Sequence, residues 1–454
     1  MACSAECWPL SPCRDDGQLR RERQPVALTG RAALAAVAGA IAMLAFRSVA
    51  ALGVVNAVIV AAIGADLVLA ARVSQLRMSR GGDVRIPLGS TGSVVLTIVN
   101  PGSRVLRAIV RDAWRPSAGA RPARERLTVA AGGQATITTT LTPTRRGDMT
   151  ALRVTIRSIG PLGLAGRQGH QQVQWSVRVL PPFLSRRHLA DKLGVLRQLD
   201  GQHRALIRGA GSEFDSLREY VLGDDVRSID WRSTARQGDV MVRTWRPERD
   251  RRIILVLDTG RTAAGRVGGV PRLDTAMDAA LLLAALAARA GDRVDLLAAD
   301  RAVRARVIGA GRGGISALSD ALALLDAELL ESDAGLIVGS ILDMARQRCL
   351  VVLFTDLNRA AVEEGLIPRL PVLASRHRLL VAAVADPRMQ QMAAGRGSPA
   401  AVYEAAAAER SRSDRARVTA HLRRLGVAVV DAEPDTLAPS LADAYLAMKA
   451  AGRL

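Results

Sequence analysis

Asp258 and Asp356 are the residues of this 454-residue chain best placed to do chemistry. Each follows or closes a short apolar run, Ile253–Leu257 and Leu350–Thr355, that reads as a buried strand. Two carboxylates at neighbouring strand ends can face one another across a crevice, and Thr262 adds a hydroxyl one turn after Asp258. A second polar concentration lies just upstream, where Asp, Glu and Arg crowd among Phe, Tyr and Trp from Gly209 to Trp245. Its carboxylates could pair internally with arginines or, as an Asp/Glu dyad, do acid–base work. Nucleophilic and nucleotide chemistry have no matching pattern. There is no Ser-His-Asp arrangement, no HExxH and no GxxxxGK[ST], and His203 has no partner motif.

These residues need elements to hold them. Beyond Arg252 strands and helices alternate, with strands at Ile253–Leu257, Val294–Ala298, Val303–Ile308, Leu350–Thr355, Leu379–Ala385 and Val427–Val430. Helical patterns run over Leu273–Ala290, Ile315–Leu330 and Ala401–Leu425. Such alternation predicts an α/β doubly wound sheet over 251–454, with Val303–Ile308 as an antiparallel edge. Between 83 and 182 the apolar period falls to two, as in Val94, Leu96 and Ile98 or Leu152, Val154 and Ile156, with Gly/Pro turns between. That pattern predicts a β-sandwich domain, with residues 186–250 bridging the two.

The amino-terminal part reads as a multidomain membrane protein's anchor. Residues 1–25 form a polar tail expected to be disordered, and its Cys3, Cys7 and Cys13 lack a fourth ligand for a tetrahedral metal site. Residues 26–46 and 49–71 are two apolar runs of about 20 residues, the length that crosses ~30 Å of hydrocarbon. Arg47-Ser48 between them forces a transmembrane helical hairpin over 26–72. Arginines crowd the outer flanks of both runs while only Arg47 lies in the turn, so both termini are expected in the cytoplasm. Asp66 is the one acidic residue inside a span, about 9 Å along a helix from Arg72, and is expected to pair near the interface.

The formal net charge of +20 invites a nucleic-acid reading. Among 63 basic residues, however, only Lys192 and Lys449 are lysine, and the arginines scatter from end to end among alanines. No stretch interleaves basic and aromatic residues, so nucleic acid is not an expected partner.

The segment from Gly209 onward resembles the signature of the bacterial "domain of unknown function 58" family. The match runs through Gly209, Gly211, Glu213, Phe214, Leu217, Arg218, Tyr220, Gly223, Asp224, Arg227, Ile229, Asp230, Trp231, Ala235 and Arg236. Arg145-Arg146-Gly147 and Pro161-Leu162-Gly163-Leu164 resemble the family's middle region. The resemblance implies a von Willebrand factor A-like domain and association with a MoxR-type AAA+ ATPase. It also implies an adhesion-type metal site in which Asp258, Thr262 and Asp356 match a first carboxylate, a second hydroxyl and a distal carboxylate around Mg²⁺. The chain departs from that pattern at Gly260, where the first hydroxyl belongs, and offers only Ser316 for the remaining loop position. A degenerate site, with Asp258 capping the following helix, is the alternative. The expectation is therefore a membrane-anchored cytoplasmic adaptor, not an enzyme, that requires no cofactor. A hydrolase using the Glu213–Asp230 cluster and a membrane-proximal nucleic-acid binder are the rival readings.

Overall fold

The computed structural model describes residues 26–46, 49–206, 213–222, 224–246, 251–310 and 314–452. The predicted tail, with its three cysteines, and Gly209, Gly211 and Gly223 of the signature lie outside these. The chain divides into two compact units. One comprises residues 1–82, 93–141 and 150–175; the other comprises 83–92, 142–149 and 176–454.

In the first unit, helix α1 (Gly30–Phe46) packs against helix α2 (Val49–Leu69). Both are apolar along their length, and Gly39 lets the Val55 side chain approach the α1 backbone. The first apolar run does not form one helix from residue 26 as expected. Val26–Leu28 is a strand paired antiparallel with Arg167–Ala165, and the Thr29 hydroxyl donates to the carbonyls of Gly163 (2.6 Å) and Leu164 (3.0 Å). That pairing takes up backbone groups a helix would otherwise use and delays the helix to Gly30. By length and composition one run, Gly53–Gln75, is apolar enough to cross a membrane, while Gly30–Ile41 is a shorter apolar helix.

Two sheets complete this unit. Strands Arg77–Gly82, Gly92–Val99 and Gln134–Leu141 form one. In the other, Leu106–Trp114 lies between Glu125–Val129 and Gly147–Ile159, which in turn pairs with Ala165–Gln171. Leu96 and Ile98 from the first sheet and Leu106, Val110, Val154 and Ile156 from the second bury one shared core. The alternation of apolar residues along each strand is what makes this possible. The region differs from the expected continuous 83–182 domain. Its first strand starts at Arg77, and residues 83–92, 142–149 and 176–182 cluster with the second unit. Val173 and Trp175, whose alternation with Val177 and Val179 reads as one strand, precede the observed Ser176–Leu180.

The Asp66 carboxylate, one turn before the end of α2, is fully buried. It accepts from the backbone N–H groups of Leu162 (2.8 Å), Leu164 (2.6 Å) and Ala165 (3.0 Å). Three N–H donors satisfy a buried carboxylate well. The expected pairing of Asp66 is thus with a backbone loop.

In the second unit a six-stranded sheet carries the fold. Its strands are β1 (Arg252–Asp258), β2 (Arg293–Ala299), β3 (Val303–Ala310), β4 (Leu350–Phe354), β5 (Arg378–Val384) and β6 (Ala428–Ala432), ordered β3-β2-β1-β4-β5-β6. All neighbours are parallel except β2 and β3, which form the expected antiparallel edge. Both faces are covered. Ile253, Leu255 and Leu257 pack with helices α3 (Arg272–Arg289) and α5 (Pro434–Ala450). Ile254 and Val256 pack on the other side with Ala334–Met344 and with α4 (Pro399–Arg424). Burial on both faces explains why the strands read as continuous apolar runs.

The helix expected over Ile315–Leu330 ends at Ala323. Residues 324–333 instead form a loop pinned to the turn after β1. Arg261 N–H donates to Leu330 O (2.7 Å) and Glu328 N–H to Thr259 O (2.8 Å). Upstream, Arg146 reaches the Asp274 carboxylate on α3 and, through Nε, Leu325 O at 3.0 Å. Burial pushes the Asp274 carboxyl up even with that guanidinium beside it.

Candidate functional site

Asp258 and Asp356 do come together at the carboxyl ends of β1 and β4. They line one small cleft of about 20 Å³ with Thr262, Arg272, Phe354 and Val384. This is where a doubly wound sheet leaves strand ends open to a ligand. Asp258 is ringed by donors. Its Oδ1 accepts from Gly260 N–H (2.9 Å) and from the Ser332 hydroxyl, and its Oδ2 from Thr355 Oγ1 (2.9 Å) and, more weakly, Thr262 Oγ1 (3.4 Å).

The hydroxyl missing at Gly260 is therefore supplied from elsewhere. A Cβ on Gly260 would stand 2.1 Å from Ser332 Oγ and 2.8 Å from Leu330 O. Glycine is required there because Ser332 occupies the space a serine would need. Ser316, the expected loop ligand, instead accepts from Arg85 Nη1 at 3.2 Å. Asp300, buried at the end of β2, accepts from Thr259 Oγ1 (2.9 Å) and Arg304 Nε (2.7 Å) and so fixes the turn from the side.

Asp356 faces cations. Arg272 Nη1 donates to its Oδ2 (2.8 Å) and Arg415 Nη1, from α4, to its Oδ1 (2.6 Å). Arg415 also grips both oxygens of Asp431 at 2.7 Å and donates to Val384 O at 3.1 Å. Burial alone would lower the Arg415 guanidinium, but bonds and charge from Asp431 and Asp356 outweigh it and hold it above its ordinary value.

This donor set does not fit Mg²⁺. The ion demands near-octahedral oxygens with free lone pairs. Both oxygens of Asp356 are taken by guanidinium groups, whose fixed positive charge sits where the ion's charge would be needed. Among the described residues no group of three or more His, Cys, Asp or Glu gathers to hold a metal. The arrangement instead pairs Asp356 and Asp431 with guanidinium groups and holds Asp258 by neutral donors.

The signature residues form a separate small element. Glu213–Glu219 and Met241–Arg246 pair antiparallel, with a 3₁₀ turn at Val226–Ser228 and a short helix at Trp231–Gln237 between them. Glu213 and Phe214 belong to its first strand. Asp230 caps the short helix, accepting from Arg232 and Ser233 N–H at 3.0 Å, and also accepts from Arg243 Nε (2.7 Å). Those bonds, Ser233's foremost and then Arg243's, hold its carboxyl below the usual range. Arg218 Nη2 donates to Asp224 (2.5 Å), which also accepts from Val221 N–H (2.9 Å), and Asp224 is lowered likewise. Tyr220 N–H donates to Val240 O (2.7 Å), and Arg227 N–H to Asp225 (3.0 Å). Arg236 lies in the last turn of the short helix.

Among the described side chains, Asp224, Asp225 and Asp230 are thus bonded within the segment, while the Glu213 side chain lies outside the described residues. Trp231 is not buried in the segment. The residue is 67% exposed, and Leu222 is 97% exposed beside the exposed Val221 and Val226.

The fold defines a class first: an α/β protein with a mostly parallel, doubly wound sheet and its candidate site at the strand ends. Residues 216–446, just over half of the chain, match the family described as "Protein of unknown function DUF58", and the chain belongs to that family. Uncharacterized protein Rv1480 and uncharacterized protein MT1527, from two strains of Mycobacterium tuberculosis, are each 29% identical over 193 residues. So is uncharacterized protein Mb1516 of Mycobacterium bovis. The match covers 42% of this chain and spans 60% of the length of each relative.

Among solved structures, the CARDB domain of the PF1109 protein from Pyrococcus furiosus is similar at 13% identity. It covers 23% of this chain and 87% of that one, with a TM-score of 0.17. A β-glucosidase from Listeria innocua is similar at 18% identity over 23% of this chain and 16% of its own, with a TM-score of 0.14. Likenesses this slight carry no argument.

Proposed function

We propose that this chain is a membrane-anchored, cytoplasm-facing adaptor, non-catalytic itself, that docks a MoxR-type AAA+ ATPase through its signature hairpin. The observation that carries the reading is the exposed apolar set Val221, Leu222, Val226 and Trp231 at the hairpin's tip. Large exposed apolar side chains on a stiff element are characteristic of protein interfaces, where Trp is often the residue of greatest energy. The ion pairs Arg218–Asp224 and Arg243–Asp230 preorganise that tip, which reduces the entropy lost on docking.

In this reading the six-stranded unit is a von Willebrand factor A-like domain whose strand-end surface works without metal. Arg272 and Arg415 supply the positive charge that Mg²⁺ brings to the sites it resembles. Co-purification of the full chain with a MoxR-type ATPase from the same genome tests the proposal. Trp231→Ala and Leu222→Ser should abolish co-purification; retention by both variants together overturns it.

A further inference from the structure

Five arginines surround the end of α2 in the first unit, and the fold explains how they are held. Arg104 Nη1 donates to Val68 O, and Arg167 Nε donates to Leu67 O at 2.9 Å. Both carbonyls belong to the last turn of α2, where backbone acceptors have no partner within the helix. Arg107 Nη1 reaches Pro161 O at 3.4 Å. Arg31 Nη1 lies 3.0 Å from where a Cβ on Gly163 would stand, and exposed Arg72 follows the helix directly. Each of the three bonded guanidinium groups spends a single nitrogen on its carbonyl, while the group carries five N–H donors.

The level of this collar relative to a bilayer follows from helix length. The loop Gly160–Ala165 is clamped to Asp66, so the apolar part of α2 ahead of the clamp runs from Val49 to Ala65. At 1.5 Å per residue that is about 25 Å, less than the ~30 Å of a hydrocarbon core. A bilayer accommodates a short span by thinning and by drawing its surface toward the flanks. Exposed Leu162 (53%), Leu28, Val68 and Leu69 extend the apolar surface past the clamp, among the arginines. Guanidinium groups directly beside such a surface meet phosphate oxygens, which they bind through two parallel N–H bonds.

We propose that Arg31, Arg72, Arg104, Arg107 and Arg167 form a collar that binds the headgroup phosphates of anionic phospholipids. The proposal rests on the membrane-anchored reading and adds a lipid preference to it. The full chain would be reconstituted into nanodiscs of phosphatidylcholine with a minor share of phosphatidylglycerol, and the lipid retained after mild detergent extraction counted by native mass spectrometry. Phosphatidylglycerol should be enriched over its bulk share, by about fivefold for each arginine engaged. The enrichment should fall stepwise in R31Q, R104Q and R107Q and persist in R107K.

Resistance to alkaline extraction from the same vesicles reports insertion separately. A chain that inserts but shows no phosphatidylglycerol preference, or keeps it in the triple Gln variant, overturns the collar alone. A chain extracted at alkaline pH from both lipids overturns the anchored reading as well. Unchanged circular dichroism across the variants confirms that a lost preference comes from lost headgroup contacts and not from misfolding.

Discussion

At the scale of single residues, Asp356 decides what the strand-end site can hold. Its two oxygens face Arg272 and Arg415, so calorimetry on the protein should show no saturable Mg²⁺ binding at millimolar concentrations; a fitted stoichiometric site would refute this. Gly260→Ser, the substitution that would complete an adhesion-type motif, should destabilise and not create a metal site, because Ser332 and Leu330 O already fill that space. Arg415→Ala should cost on the order of 3 kcal/mol, since it leaves Asp431 without its guanidinium partner and Asp356 with Arg272 alone.

The buried pair Cys349–His377, 3.3 Å apart, gives a pH test. Burial, then Arg376 and Arg348, push the His377 ring below its ordinary value, so protonation favours the unfolded chain. Its stability contribution is complete above the unfolded value of about 6.5 and is lost as pH falls through the lower folded one. Denaturant midpoints measured between about pH 5 and 8 should drop on the acid side, and less so in H377Q. The Cys349 thiol is pushed up to about 12 by burial, so it should resist alkylation in the native protein. Asp258 and Asp356 were legible because each ends an apolar run. Ser332, Arg272 and Arg415 were not: Arg415 is one of many charged residues in a 26-residue helix, and only the strand crossing brings it to Asp356.

At the scale of elements, the signature hairpin and α2 respond in opposite ways to mutation. Trp231→Ala removes an exposed ring, so thermal unfolding should shift by no more than about 0.5 kcal/mol. A fall of several kcal/mol would show that the ring is packed after all. Asp66→Ala deprives Leu162, Leu164 and Ala165 of their acceptor, and orphaned buried donors cost about 1–3 kcal/mol each. The variant should therefore lose several kcal/mol and become protease-sensitive near residue 162; unchanged digestion would contradict the clamp. The continuous apolar runs announced the six strands of the second unit's sheet to within two residues, while the alternating patterns caught only parts of the strands in the first unit. Helix Ile315–Leu330 was overestimated because its second half looks helical in sequence, while hydrogen bonds to Thr259, Arg261 and Asp258 hold it as a loop. Helices Ala334–Met344 and Pro434–Ala450 went unread, the latter because Pro439 masks its apolar face.

For the whole molecule, the flanking arginine bias gives a direct prediction. Reporter fusions after Ala71 and at Leu454 should both register as cytoplasmic, and a periplasmic signal at either would reverse the orientation. The short strand at Val26–Leu28 has a further consequence, in time and not in space. Its neighbour Thr29 bonds the carbonyl of Gly163 across 134 residues of sequence, with both long apolar helices in between. A growing chain makes local contacts first, so α1 and α2 can pair long before Ala165–Gln171 has been synthesised. Val26–Leu28 must then wait, unpaired, until that strand arrives. Within the first unit the amino-terminal edge is thus the last seam to close, and any error in setting the helices leaves it open.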